Sequence, residues 1–151
     1  MRKILTTLLF TLMPLLLSAQ ENLAINSLFH GRLGKNNVSE TIIKGEKVEE
    51  YGLDLYHSLS TRQPALAAKM SRAVLEDAAK ATSKEVKYDG DKLYYAFISI
   101  RDSRYNSYRH ILYLNNLLKG GKDIILIFME GDANVQQVKK MLKMKKVYYL
   151  R

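Results

Sequence analysis

The histidines are the first side chains to consider as bases or metal ligands, and they lie at His30, His57 and His110. They are far apart in the chain, and none has the spacing to another histidine or to acidic residues that marks a metal site. His57 lies on the apolar side of an alternating segment, which favours a core or interface histidine over a ligand or a base. No Gly-x-Ser-x-Gly elbow occurs, and the Gly-Gly-Lys at 120–122 lacks the rest of a phosphate loop. The sequence therefore predicts no catalytic residue, no metal site and no cofactor, and it leaves open whether any enzymatic activity exists.

The best candidate for a binding surface is the segment 101–109, which we call the tip. Three arginines are interleaved there with two tyrosines. Arginine offers planar bidentate donors, and tyrosine offers an apolar face with a hydroxyl. Such a patch suits a phosphate, a carboxylate or a partner protein, whereas an exposed hairpin that is polar for solubility has the same composition. The candidate binding residues are Arg101, Arg104, Tyr105, Tyr108 and Arg109.

The tip lies within the most apolar part of the chain, residues 92–131. Three runs rich in β-branched, aromatic and leucine residues are separated by two polar turns, which predicts an antiparallel meander. Asp89-Gly90, just before it, is a strong hairpin signal. The strands are apolar on both faces, so we expect both faces to be covered. Phe97 and Leu126 are predicted to be deeply buried. The predicted strands here are 84–88, 92–101, 108–115 and 123–130.

Two more strands are predicted upstream, at 38–44 and 53–61, from β-branched residues and period-two alternation. Apolar residues at helical spacing predict a short helix at 23–33 and two longer helices at 64–82 and 132–146. The expected fold class is α+β, with a mostly antiparallel sheet of about five or six strands. We expect both longer helices to pack on one face of that sheet.

Residues 1–20 have the form of a secretory signal peptide. Arg2 and Lys3 precede an apolar run at 4–17, and small residues follow at 18–20. The run is shorter than the ~20 residues that a membrane-spanning helix needs. We therefore expect a cleaved signal peptide at 1–20, a single α+β domain at 21–151, and a periplasmic or secreted location. The absence of cysteine excludes both disulfides and the lipid attachment of a bacterial lipoprotein.

Without Arg2 and Lys3, the chain keeps 22 basic and 15 acidic residues, a net charge of +7. A basic exported protein suits an anionic envelope surface, although many soluble domains carry a similar charge. The lysines of the 132–146 helix fit either interpretation. We expect a protein partner or an anionic envelope surface, with self-association as a further option. Nucleic acid is disfavoured, and no transmembrane segment is expected after signal cleavage.

Several segments, taken in order, resemble small exported proteins of Bacteroidota that belong to domain families of unknown function. The resemblance implies an α+β domain and an envelope address, and it transfers no catalytic residue. Many such relatives are lipoproteins, from which this chain differs by lacking cysteine. The segments are LFHGRLG, VSETIIKG, YGLDLYHSLS, YYAFISI and LIFMEGDANVQQVKKML, together with the signal ending Ser-Ala-Gln.

The function that these observations favour is a non-enzymatic binding or accessory domain of the cell envelope. The alternative is a hydrolase or transferase that acts on an envelope polymer through a dispersed site. An enzyme should have a concave pocket with at least two convergent titratable groups. A flat surface with an exposed apolar patch would favour binding.

Overall fold

The computed structural model describes residues 22–102, 104 and 106–144. The predicted signal peptide, Tyr105 and the residues from 145 onward lie outside them. The described residues contain one six-stranded antiparallel sheet with the strand order β1-β2-β6-β5-β4-β3. Each predicted strand is confirmed to within two residues. The strands are β1 Val38–Lys44, β2 Leu55–Thr61, β3 Ser83–Asp89, β4 Lys92–Asp102, β5 Ser107–Asn115 and β6 Ile124–Gly131.

The sheet has two parts, a four-stranded meander and an N-terminal hairpin. Strands β3 to β6 follow one another through turns, and the first turn is the predicted Asp89-Gly90, where Gly90 has φ of 63°. Strands β1 and β2 pair with each other, and β2 then pairs with β6, so that Leu59 lies opposite Leu126. The meander and the α+β class are therefore confirmed.

Three α-helices are described: α1 Glu46–Glu49, α2 Ala67–Ala78 and α3 Val135–Met144. Three short 3₁₀ segments accompany them, at Ala24–Leu28, Pro64–Leu66 and Asn116–Lys119. Asn134 begins α3, because its side chain accepts a hydrogen bond from the Gln137 N–H at 3.0 Å while the Gln137 side chain accepts one from the Asn134 N–H at 2.8 Å. This reciprocal capping satisfies two N–H groups that a helix start leaves without partners. The segment between β1 and β2 contains the short helix α1.

The two longer helices pack on opposite faces of the sheet, so the expectation that they share one face is wrong. Met70 and Val74 of α2 pack with Ile98 and the other side chains of what we call the α2 face. Val138 and Leu142 of α3 pack on the opposite, α3 face. Side chains alternate between faces along a strand, and β4, β5 and β6 are apolar on both. A single covered face would have left one of these apolar surfaces in water, which is unfavourable.

The core contains both residues predicted for it. Phe97 is 2% exposed on the α3 face, and Leu126 is 0% exposed on the α2 face. No helix among the described residues combines the length and apolar character that crossing a membrane requires.

The N-terminal segment differs from the predicted helix at 23–33, because its regular part is only the 3₁₀ turn Ala24–Leu28. His30 and Gly31 have positive φ values of 63° and 74°, which no helix can continue through. The segment is fixed instead by Asp77 of α2, whose Oδ1 and Oδ2 accept hydrogen bonds from the N–H groups of Ala24 at 2.6 Å and Ile25 at 3.0 Å. A fully buried carboxylate thus connects two segments that are far apart in sequence.

Candidate functional site

A cleft of about 580 Å³ opens on the α2 face, between the first half of α2 and the ends of β4 and β5. One wall is α2 together with Pro64, and the other wall is the β3–β4 hairpin. The 3₁₀ segment after β5 closes one end with Leu117 and Leu118. The helix contributes alanines here, and their small side chains leave the space open. The lining residues are Pro64, Ala67, Ala68, Ser71, Leu75, Tyr88, Asp91, Lys92, Leu93, Tyr113, Asn115, Leu117 and Leu118.

The interior of this cleft carries two neutral polar side chains, Tyr113 and Asn115 of β5. They are 0% and 4% exposed, and the atoms Tyr113 Oη and Asn115 Oδ1 are buried. Burial raises the pKa of Tyr113 to about 12, although a hydrogen bond with the Asn115 side chain opposes part of the rise. The phenol therefore stays protonated at neutral pH and can both donate and accept a hydrogen bond.

Among the described residues that line the cleft, the charged ones lie at its rim. Asp91 and Lys92 are both exposed, on the turn and the first residue of β4. Tyr88 and Leu75 extend the apolar surface outward, at 55% and 37% exposure. An apolar cavity with a few polar groups inside is typical of sites that bind small molecules.

His57 is a core histidine, as predicted, and is 1% exposed. Its ring packs on Phe29 with 4.1 Å between centroids, and its Nε2 lies 2.8 Å from Glu40 Oε2. Burial lowers the pKa of His57 despite that carboxylate. Burial tends to raise the pKa of Glu40, but hydrogen bonds from the Gly31 N–H, the His57 side chain and the His30 N–H together lower it. A neutral His57 therefore donates to an ionised Glu40, which also fixes the 30–31 turn.

His110 is paired with Ser99, a residue that no sequence motif marks as functional. Ser99 Oγ lies 2.7 Å from His110 Nδ1, and His110 Nε2 lies 2.8 Å from the Ala133 carbonyl. Burial lowers the pKa of His110, so the neutral ring accepts from Ser99 and donates to Ala133. Both side chains are buried, at 1% and 0% exposure, so a substrate cannot reach the serine. The pair fixes the 131–134 loop.

The structure divides the arginines of the tip between the two faces of the sheet. Arg101 is exposed on the α3 face, with its guanidinium 5.9 Å from the centre of the Tyr108 ring in the adjacent strand. Arg104 is exposed, and its Nε lies 3.4 Å from Asp102 Oδ1. Arg109 is half-buried on the α2 face, opposite Glu130. Arg101 and Tyr108 are thus brought together, whereas Arg109 is separated from them.

Arg109 and Glu130 are neighbours in register on β5 and β6. Burial raises the pKa of Glu130, and the positive charge of Arg109 opposes that rise. Arg109 Nε and Glu130 Oε2 are both buried without a hydrogen-bond partner among the described residues. Arg109 therefore belongs to the partly buried surface of the sheet and not to an exposed patch.

The predicted lysine-rich helix corresponds to α3, which the structure describes up to Met144. Not all of its lysines are exposed to solvent. Lys139 Nζ lies 2.8 Å from Glu85 Oε2 and 5.3 Å from the centre of the Phe97 ring. Within residues 22–102, 104 and 106–144, no three His, Cys, Asp or Glu side chains are grouped to hold a metal ion.

These features define the class of protein as a small α+β domain with one antiparallel sheet and an amphipathic cleft on one face. The chain belongs to the Family of unknown function (DUF6108), whose model matches residues 12–142. No curated protein and no solved structure shows significant similarity to it.

Proposed function

We propose that this protein is an exported protein of the cell envelope that acts as a non-enzymatic binding domain. The observation that carries the proposal is the apolar cleft on the α2 face, which measures about 580 Å³ and has the charged residues Asp91 and Lys92 at its rim. A cavity of this size with mostly apolar walls and a few polar groups is typical of sites that bind small molecules.

The same cleft supports binding over catalysis. General acid–base chemistry needs titratable groups whose pKa values lie near the working pH. The pKa of Tyr113, raised to about 12, is far from that range. Asp91 and Lys92 are adjacent in sequence, and both are exposed at the rim of the cleft. They therefore do not converge on one point inside the cleft. A hydrolase or transferase acting on an envelope polymer remains the alternative function.

The tip supports a second contact, with an anionic partner such as a protein or the envelope surface. Arg101 and Arg104 are both exposed, and Tyr108 adds an aromatic face beside Arg101. Tyrosine and arginine are enriched among the residues that dominate binding energy. Arg109 contributes less to this surface, because it is half-buried opposite Glu130.

The envelope address is tested by expression of the full chain in a Gram-negative host and N-terminal sequencing of the product. We expect the protein in the periplasmic or extracellular fraction, beginning at Gln20 or Glu21, because small residues precede those positions. A matched variant that lacks residues 2–19 should stay in the cytoplasm. Wild-type protein that keeps Met1 in the cytoplasmic soluble fraction would contradict the export proposal.

A further inference from the structure

Strand β1 forms one edge of the sheet, and its outer side is open. It pairs with β2 on its inner side, and among the residues that the structure describes no strand pairs with it on the other side. An open edge presents a row of backbone N–H and C=O groups with which another strand can pair. No residue of β1 lines the cleft on the α2 face, so this edge is a separate surface.

The hydrogen bonds between β1 and β2 show which backbone groups point outward. The Arg62 N–H donates to the Asn37 carbonyl at 3.3 Å, and this bond continues the register of the two strands one position beyond Val38. Hydrogen-bonded and non-bonded positions alternate along an antiparallel pair. Every second residue from Val38 onward is therefore not bonded to β2, and its N–H and C=O point to the open side. These residues are Val38, Glu40, Ile42 and Lys44.

The opposite edge of the sheet, β3, is better protected against such pairing than β1. Lys84, Glu85 and Lys87 place charges along β3, and its register shifts between Lys87 and Tyr88. Charged side chains and bulges are common features that protect an edge strand. In contrast, β1 keeps a regular register over all 7 of its residues, and the apolar side chain of Ile42 is 50% exposed.

The sequence of β1 is self-complementary about Ile42. When two copies of the strand pair antiparallel with their Ile42 residues opposite each other, Glu40 of each copy lies opposite Lys44 of the other. Apolar pairs and opposite charges directly across a strand pair are both stabilising. Lys44 is exposed, and the Glu40 side chain is 20% exposed although it contacts His57. All these pairs use the outward-directed backbone groups, so they are hydrogen-bonded pairs.

The neighbouring registers match less well. If the two-fold axis passes through Thr41, Glu40 lies opposite Ile42 of the other copy and Lys44 lies opposite Val38. If the axis passes through Glu40, the two carboxylates face each other, and like charges at opposite positions are destabilising. Charge complementarity therefore selects the register centred on Ile42, and it favours a second copy of the chain as the occupant of this edge.

We propose that the protein forms a two-fold symmetric dimer through β1, which joins the sheets of two copies into one continuous sheet. The same strand serves both copies, as the interface of a two-fold dimer requires. The overlap runs from Glu40 to Lys44, because Gly45 turns the chain at φ of 77°. Such a contact is smaller than a standard protein interface, so the dimer is weak and depends on protein concentration. This inference goes beyond the binding function of the cleft, and either proposal can fail without the other.

Cysteine cross-linking tests the register directly, because the natural chain has no cysteine. Ile42→Cys places two thiols in a hydrogen-bonded pair whose Cα atoms are about 5.5 Å apart, which a disulfide can span. Ser39→Cys is the matched control, because Ser39 is exposed on the same strand. In the proposed register, position 39 of one copy lies about 20 Å along the strand from position 39 of the other.

The purified variants are incubated with oxidised glutathione, and the covalent dimer is measured by non-reducing gel electrophoresis. We expect Ile42→Cys to form it at least about tenfold faster than Ser39→Cys, because only its two thiols are held within reach of each other. Equal rates would indicate random collisions and would overturn the proposal, as would faster cross-linking of Ser39→Cys.

Sedimentation velocity of the unmodified protein tests whether the dimer forms without a cross-link. We expect the dimer fraction to rise between about 10 μM and 1 mM protein. Ile42→Lys should weaken dimerisation at least about tenfold, because two like charges replace an apolar contact. If this variant does not fold, the cysteine variants still decide the question.

Tyr88→Lys is the matched control for Ile42→Lys. Tyr88 is 55% exposed on the other edge strand, so the same new charge is placed at the opposite edge of the sheet. Dimerisation should be unchanged in this variant. A wild-type protein that stays monomeric up to about 1 mM, a dimer that persists in Ile42→Lys, or a dimer that is lost in Tyr88→Lys would each overturn the proposal.

Discussion

Arg101 and Arg109 show how position within a strand decides the surroundings of a residue. They flank the same turn and have the same chemistry, yet they lie on opposite faces of the sheet because side chains alternate along strands. Arg101 is exposed beside Tyr108, whereas Arg109 is half-buried opposite Glu130. A test of the tip must therefore change the exposed arginines and leave Arg109 in place.

At the scale of single residues, the double change Arg101→Glu and Arg104→Glu should weaken capture of an anionic partner from envelope extract. It should also reduce the salt dependence of that capture, because fewer screened charges take part. Thermal stability should change little, since exposed charges contribute roughly 0–1 kcal/mol.

The matched control for the tip is Lys35→Glu with Lys122→Glu, which makes the same change in charge at two exposed positions elsewhere. If the control weakens capture equally, net charge alone drives the contact. If the arginine variant captures the same proteins as the wild type, the tip is a solvated turn.

At the scale of elements, the link between α2 and the N-terminal 3₁₀ segment depends on one buried carboxylate. Asp77→Ala would leave the N–H groups of Ala24 and Ile25 without their acceptor. Since hydrogen bonds to charged groups are worth about 1.5–3 kcal/mol, we expect the free energy of unfolding to fall by about 2–4 kcal/mol. Urea denaturation measures it.

The control for Asp77 is its neighbour on the same helix. Glu76 is exposed, so Glu76→Ala should change stability by less than about 0.5 kcal/mol. A loss below about 1 kcal/mol in Asp77→Ala would mean that the 3₁₀ segment is held mainly by its apolar contacts.

Local patterns in the sequence were sufficient to place the strands, and they failed where distant residues decide the structure. Alternation and turn residues act over a few positions, so all six strands were predicted to within two residues. The segment 23–33 has apolar residues at helical spacing, but its conformation depends on Asp77, which is more than fifty positions away.

The sequence of a helix also does not show which face of the sheet the helix packs on. An apolar stripe shows that α3 is covered on one side, but the path of residues 131–134 decides which face of the sheet it covers. Gly131 is required there, because a Cβ at this position would overlap the Gly52 carbonyl oxygen. That close approach joins two segments that no local pattern relates.

The cleft was missed for a similar reason. Its lining comes from α2, the β3–β4 hairpin, β5 and the 3₁₀ segment after it. Tyr113 looks like an ordinary core residue within an apolar strand. The available signal was Asn115, a buried polar residue at the end of that strand.

At the scale of the whole molecule, the strand order predicts an order of folding. The meander uses neighbouring segments, whereas the β2–β6 pairing joins Leu59 to Leu126 across more than sixty residues. Pairings between distant segments form slowly, because a long loop must close first. We therefore expect the meander to be formed in the folding transition state and the N-terminal hairpin to dock afterwards.

Two buried leucines test this order. Leu112 lies in the meander and Leu59 in the hairpin, and both are 0% exposed. Either change to alanine should cost about 2–5 kcal/mol, but Leu112→Ala should mainly slow folding and Leu59→Ala should mainly speed unfolding. Stopped-flow kinetics across a range of urea concentrations separates the two effects, and the opposite assignment would contradict the proposed order.

The central position of β6 has a consequence for the chain before it is fully folded. Until β2 docks, one edge of β6 is open, and Ile124 to Met129 is an unbroken apolar run without proline or charge. Segments of this kind pair readily with copies of themselves. Self-association during refolding should therefore begin at this edge and increase with protein concentration, while in the finished sheet the same strand is enclosed between β2 and β5.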